Sequence, residues 1–231
     1  MTPRVPLPLL LAVTVTACGS TPQHVAPGAP PTPASITMEH PGGDAADPDE
    51  AALLRQVHER WGFQEDKDAQ LRIPLVDWQN YERVRYWAID HFVGFKYGSD
   101  FNALNSVFIL DVKDGPIDSD SCFVRAEKWA HPQIKSFDIK LGEQRMSEAR
   151  WRGTTVRVMS VDGYLDWGLE RRKFSAAYAV YPAYEDACLV FGFAVPWGEH
   201  EDLAKQVRDR WAKEGVPRLV PLTKTRPYRK D

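Results

Sequence analysis

Ala187-Cys188-Leu189-Val190-Phe191-Gly192-Phe193-Ala194-Val195 carries no charge on any side chain. A short apolar run of this kind reads as a central strand covered on both faces. Just beyond it, Glu199 to Glu214 sets Leu203, Val207 and Trp211 on one stripe at helical spacing, and Gly215 and Pro217 follow where a helix stops. A buried strand followed by an amphipathic helix implies a sheet with a helix packed against it.

Working backwards, Phe174 to Tyr181, Thr154 to Val161, Ile134 to Leu141, Ser121 to Trp129 and Ser106 to Val112 each read as strands. Lys113-Asp114-Gly115-Pro116 is a turn signal. Between Arg83 and Tyr97 the odd positions Ile89, His91, Val93, Phe95 and Tyr97 are set against Asp90 and Lys96, the alternation of a half-buried antiparallel strand. The first element is a helix. Asp47 is its N-cap, Pro48 its first position and Glu50 the capping-box acid. Leu53, Leu54, Val57 and Trp61 recur at helical spacing, and Gly62 ends it. The expected fold class is α+β: an antiparallel β-sheet packed against an N-terminal and a C-terminal helix. No internal repeat suggests a solenoid or propeller. This element order, from about residue 50 to 216, resembles the PsbP-like fold found in some bacterial envelope lipoproteins.

The ends are of another kind. Arg4 is followed by Leu7-Pro8-Leu9-Leu10-Leu11-Ala12-Val13, too short an apolar run for a span of roughly 20 residues. It suits the apolar stretch of a secretory signal. The next residues, Val15-Thr16-Ala17-Cys18, resemble the lipobox of bacterial lipoproteins. That resemblance implies removal of residues 1–17, a diacylglycerol on the Cys18 sulfur and further acylation of the new N-terminus. Gly19 stands where that family places Asp for inner-membrane retention, which implies an outer-membrane address. Residues 18–47, with Pro22, Pro27, Pro30, Pro31, Pro33 and Pro41, have little to bury and read as a disordered tether. Its 29 residues from Gly19 would reach roughly 30 Å as a coil and roughly 90 Å as polyproline II. Residues 48–217 form the single globular domain, and residues 218–231 a polar tail made basic by Lys224, Arg226, Arg229 and Lys230.

With Cys18 taken by lipid, Cys122 and Cys188 remain as an even pair in an oxidising compartment, and a disulfide is expected. Two separate buried thiols are the alternative. The formal charge of -3 offers no basic surface for nucleic acid.

His24 and His40 fall in the tether, His58 and His200 on helices, His91 on a strand face and His131 before Pro132 in a turn. None begins a zinc motif, and no nucleophile elbow, phosphate loop or dinucleotide fingerprint occurs. Asp111, Asp114, Asp118 and Asp120 could suit a hard cation, but the spacing misses the EF-hand pattern and a solvated hairpin turn is the simpler reading. Trp129, Trp151, Trp167 and Trp197 lie near strand ends, as core edge or as a contact surface. No cofactor, metal or catalytic residue is expected. The function that remains is a non-catalytic envelope lipoprotein binding a protein partner or supporting an assembly. The alternative is a lipoprotein that captures a small molecule, glycan or ion beside the sheet.

Overall fold

The computed structural model of the chain describes residues 48–84, 92–98, 103–136, 139–167 and 170–226. Leader, lipobox, Cys18, tether, Ile89 and His91 lie outside the described residues. The chain opens with α1 (Pro48–His58), then β1 (Trp61–Asp66), β2 (Leu71–Val76), a 3₁₀ turn (Trp78–Asn80) and β3 (Tyr81–Val84). β4 (Phe92–Tyr97) and β5 (Ala103–Asp111) precede α2 (Ser119–Ser136). Four long strands follow: β6 (Ile139–Trp151), β7 (Thr154–Trp167), β8 (Glu170–Tyr181) and β9 (Ala187–Pro196). α3 (Glu201–Arg210) continues into a π-helical turn (Trp211–Gly215) and a 3₁₀ turn (Val216–Arg218), and β10 (Val220–Pro221) ends the fold.

All pairings described are antiparallel. One sheet has seven strands in the order β3-β4-β5-β9-β8-β7-β6, and a small one has the order β1-β2-β10. The apolar run at 187–195 is central in the large sheet, paired with β5 and β8. α2 covers one face, where Phe123 stacks on Tyr178 and Trp129 packs on Phe108. α3 covers the other, and Trp211 lies between Phe191 and Phe193 with centroids 4.7 and 5.6 Å away. Each such ring, fully buried, contributes about 1.5–3 kcal/mol of transfer free energy.

The α+β class stands, and several elements differ from the expectation. Ser121 to Trp129 is helix, not strand. Asp118 caps it by accepting the Ser121 N–H at 2.8 Å, and Cys122, Ala126 and Ala130 face the sheet at helical spacing. Pro132 lies inside this helix rather than after a turn, so His131 is an exposed helical residue. Ile134 to Leu141 is therefore divided, with helix to Ser136 and strand from Ile139. Arg83 to Tyr97 is not one strand: β3 and β4 pair with each other, Tyr81 opposite Tyr97. The first helix ends at His58, and Trp61 and Gly62 belong to β1. Gly215 has φ -73°, so no left-handed cap closes α3. Its missing side chain instead admits Trp61, whose Cη2 would lie 2.8 Å from a Cβ there.

The polar tail also begins later than residue 218. Leu219 is fully buried, Trp151 Nε1 donates to its carbonyl at 2.8 Å, and β10 pairs with β2. Arg226 then pairs with Asp111 and Asp186. The domain holds the chain to Arg226.

Candidate functional site

α1, β1, β3, β5 and the end of α3 meet over the large sheet at a cleft lined by Gln56, Trp61, Val76, Tyr81, Asn105, Phe193, Val207, Arg210 and Trp211. Local sequence explains each wall. Tyr81 opens β3 and Asn105 lies near the start of β5, on either side of β4, and Trp211 opens the π-helical turn. Such turns occur often at functional sites. Gln56 comes from the buried side of α1. Its enclosed space is about 10 Å³, room for one water molecule.

Hydrogen bonds join the polar atoms. Trp211 Nε1 donates to Asn105 Oδ1 at 2.8 Å, and Asn105 Nδ2 donates to the Tyr81 hydroxyl at 3.1 Å. Tyr81 donates in turn to Gln56 Oε1 at 3.0 Å, and Gln56 Nε2 reaches the Val76 carbonyl at 3.3 Å. Arg210 donates to the carbonyls of Gln56 and Glu59 at 2.7 and 2.8 Å, the exposed end of α1. Those carbonyls have no partner within their own helix. Burial pushes the Tyr81 hydroxyl far above its ordinary range, so it stays protonated and neutral.

Trp61 forms the rim. Its Nε1 donates to Glu214 at 2.8 Å, and the guanidiniums of Arg210 and Arg218 lie 5.6 and 5.5 Å from its ring. The Trp61 hydrogen bond, followed by the two cations, holds the Glu214 carboxyl below its usual value.

Beside the cleft a fixed turn carries Trp78. Asp77 has φ 52°, a left-handed conformation uncommon outside glycine. Its carboxylate accepts Tyr97 OH at 2.6 Å and Asn80 Nδ2 at 2.8 Å, while Arg55 Nε donates to the same Tyr97 hydroxyl at 3.0 Å. Desolvation, with Asp77 next, raises the Tyr97 hydroxyl above its ordinary value. Gln64 Nε2 donates to the Trp78 carbonyl at 3.1 Å. The Trp78 ring lies on the backbone of Gly62, where a Cβ would stand 1.8 Å from Cδ1. Its side chain remains 42% exposed.

The cleft's walls supply amide, hydroxyl, indole and guanidinium groups, and none of the lining residues is Asp, Glu, His, Cys, Ser or Lys. This set can recognise and stack; at neutral pH it offers no base and no activated nucleophile.

The residues singled out in the sequence lie elsewhere. Cys122 and Cys188 are joined, with Cα atoms 5.5 Å apart, and the bond ties the first turn of α2 to β9. The acidic stretch 111–120 is dispersed. Asp111 pairs with Arg226, Asp118 caps α2, Asp120 pairs with Arg157 at 2.7 Å, and the Asp114 carbonyl accepts Arg125 at 2.6 Å. Among the described residues no three His, Cys, Asp or Glu side chains gather as a metal site. Trp151 and Trp197 are buried and Trp129 packs on Phe108, so they form core rather than a contact surface. Sequence reading missed the cleft and Trp78. The only local signal was Asp77-Trp78-Gln79-Asn80, a tryptophan among polar residues after the apolar Ile73-Pro74-Leu75-Val76.

No family model matches the chain, and comparison with curated proteins finds no match. The solved structures similar to the chain include the following two. A mutant of the protein Mog1 is 13% identical, with a TM-score of 0.48 over 71% of this chain and 96% of that one. The PsbP protein of the cyanobacterium Synechocystis sp. PCC 6803 is 12% identical, with a TM-score of 0.44 over 70% of this chain and 92% of its own. The second bears the name of the fold that the element order resembles; at these scores neither likeness carries a function to this chain.

Proposed function

We propose that the chain is a lipid-anchored envelope protein, non-catalytic, whose domain binds a protein partner or supports an assembly at the membrane. Cys18, in Val15-Thr16-Ala17-Cys18, carries the lipid, and residues 18–47 are the tether. At ~0.8 kcal/mol per buried CH₂, two or three acyl chains anchor stably where one would not. Gly19 favours the outer membrane.

One observation carries the partner: Trp78 is exposed yet held rigidly, by the Gly62 backbone below and the Asp77 network beside it. Ordered aromatic and arginine side chains dominate binding energy at protein interfaces because little side-chain entropy is lost on docking. Arg55 joins the same network through the Tyr97 hydroxyl, which donates to Asp77. The small-ligand alternative finds little support in a cleft sized for one water.

Two measurements test the reading. Intact mass of membrane-extracted protein should match residues 18–231 plus two or three acyl chains, and Cys18→Ala should abolish both the added mass and the membrane association. An unacylated, freely soluble wild type would sink the anchor. For the partner, a photoreactive residue in place of Trp78 should give one discrete protein adduct in intact cells, absent when the residue replaces exposed Val124. No adduct at either site would overturn the Trp78 interface.

A further inference from the structure

We infer that the outer face of the small sheet, where Arg72 and Arg218 stack on Phe63 and Trp61, docks an acidic segment of the protein partner. The inference deepens the binding reading above and rests on it.

Alternate residues of a strand point to opposite faces. On β1, Gly62 turns toward Trp78, so Trp61 and Phe63 project from the other face. Phe63 stands opposite Pro74. Arg72, two positions before Pro74, shares that face and stands opposite Val220. Trp61, Phe63 and Val220 are half-buried, while Arg72 and Arg218 are exposed. The Trp61 ring is fixed: its Nε1 donates to Glu214 at 2.8 Å, and its Cη2 fills the space over Gly215.

Two guanidiniums lie on these rings, Arg218 5.5 Å from the Trp61 centroid and Arg72 4.4 Å from that of Phe63. Other arginines are spent inside the fold: Arg83 on Asp66 and Asp68, Arg226 on Asp111 and Asp186. Arg218 gives one nitrogen to the Glu214 carbonyl at 2.7 Å, and Arg72 meets the exposed Glu65 only at 4.0 Å. Most of their donors are left to solvent. Stacking orients each guanidinium in advance, so less side-chain entropy is lost on docking. An oriented guanidinium takes a carboxylate through two parallel N–H···O bonds.

The complementary occupant is an extended protein segment whose two carboxylates flank an apolar side chain laid on Phe63 and Val220. Two available guanidiniums in a chain of formal charge -3 are too little for nucleic acid. β1 is the edge of its sheet, with Trp78 on one side and this face on the other, so one partner can reach both.

The test titrates the full-length protein, in non-ionic detergent at low salt, with a short dye-labelled peptide of alternating Glu and Ser. Anisotropy should rise to saturation, and the matching Gln and Ser peptide should not bind. Arg72→Gln/Arg218→Gln should weaken binding about tenfold or more, with little change in thermal midpoint. Arg72→Lys/Arg218→Lys should restore only part of it, since an ammonium lacks the planar fork. Undiminished affinity in the Gln variant would overturn the inference, as would equal binding of the Gln and Ser peptide. Displacement of the peptide by glycerol phosphate but not by glutarate would assign the face to a lipid headgroup and overturn it too. In intact cells the Gln variant should also cut the yield of the Trp78 adduct; an undiminished yield would count against the inference. Peptide binding without any wild-type Trp78 adduct would sink the Trp78 interface and leave this face standing. An adduct without peptide binding would do the reverse.

Discussion

Asn105 is committed on both sides of its amide, accepting from Trp211 and donating to Tyr81. Replacing it with Ala leaves a buried indole N–H unpaired and takes from Tyr81 its donor. The expected cost is about 1–3 kcal/mol, read as a lower urea midpoint. Asp162 accepts Arg208 and the Ser175 hydroxyl at 2.6 Å, and the Arg208 side chain is 1% exposed. Asp162→Ala leaves the buried Arg208 guanidinium with Asp209 as its remaining carboxylate partner, and a loss of about 1–3 kcal/mol is expected. Gly62→Ala tests a different quantity. Its Cβ must expel the Trp78 ring. Stability should drop by about 1–3 kcal/mol at most, since Trp78 is half in water, while the photo-adduct reached through that surface should be lost.

At the scale of elements, the disulfide closes a loop of 66 residues between α2 and β9. The chain-entropy relation gives about 4 kcal/mol for that length. Cys122→Ala/Cys188→Ala should therefore lower the unfolding free energy by about that much, with α2 the first element to lose exchange protection. An unchanged denaturation midpoint would show that the unfolded chain is already constrained. The β6–β7 hairpin turns on Arg152 and Gly153, with φ 48° and 83°, the left-handed pair that a two-residue turn between twisted strands requires. β6 is an edge strand, with a bulge between Leu141 and Gln144 and charges at Glu143, Arg145, Glu148 and Arg150. Those features discourage pairing with another chain. They also hid the strand beyond Leu141 from sequence reading: between Gly142 and Arg150 polar side chains fall on both faces, so no alternation marks it. α2 was hidden for the opposite reason. Its Cys122, Phe123, Ala126 and Ala130 look like strand residues, although Asp118 and Ser121 are capping residues.

For the whole molecule, two glutamates give opposing pH dependences. Glu214 has a folded value below its ordinary 4.5. Its contribution is present above that value and is lost as pH falls through the folded one. Glu127 has a folded value above 4.5, because desolvation disfavours its charge. Its protonated form is the better folded one, so stability falls as pH rises from 4.5 through the raised value. Glu214→Gln should thus lower the thermal midpoint at about pH 7, and Glu127→Gln should raise it. Both differences should vanish in acid, where each wild-type carboxyl is protonated. Persistence of either difference below the folded values would refute the assignment.

The chain by itself gave the expectation of a leader, a tether and a domain, and it determined the elements whose periodicity is strong. Leu189 to Val195 and the Leu203, Val207, Trp211 stripe are legible because burial on two faces or on one stripe leaves a pattern within a few residues. Pairing of the cysteines was expected from parity and compartment. Tertiary structure alone decided that Gln56, Tyr81, Asn105, Arg210 and Trp211 share one cleft. These residues span more than half the chain and follow no common spacing; their hydrogen bonds form only once α1, two sheets and α3 are packed. Trp78 and Gly62 are a similar case. The glycine's role is defined by a ring sixteen positions away, and the contact exists because β1 and β2 fold back on each other. Local pattern records which face a residue buries, whereas a site is made by which faces meet.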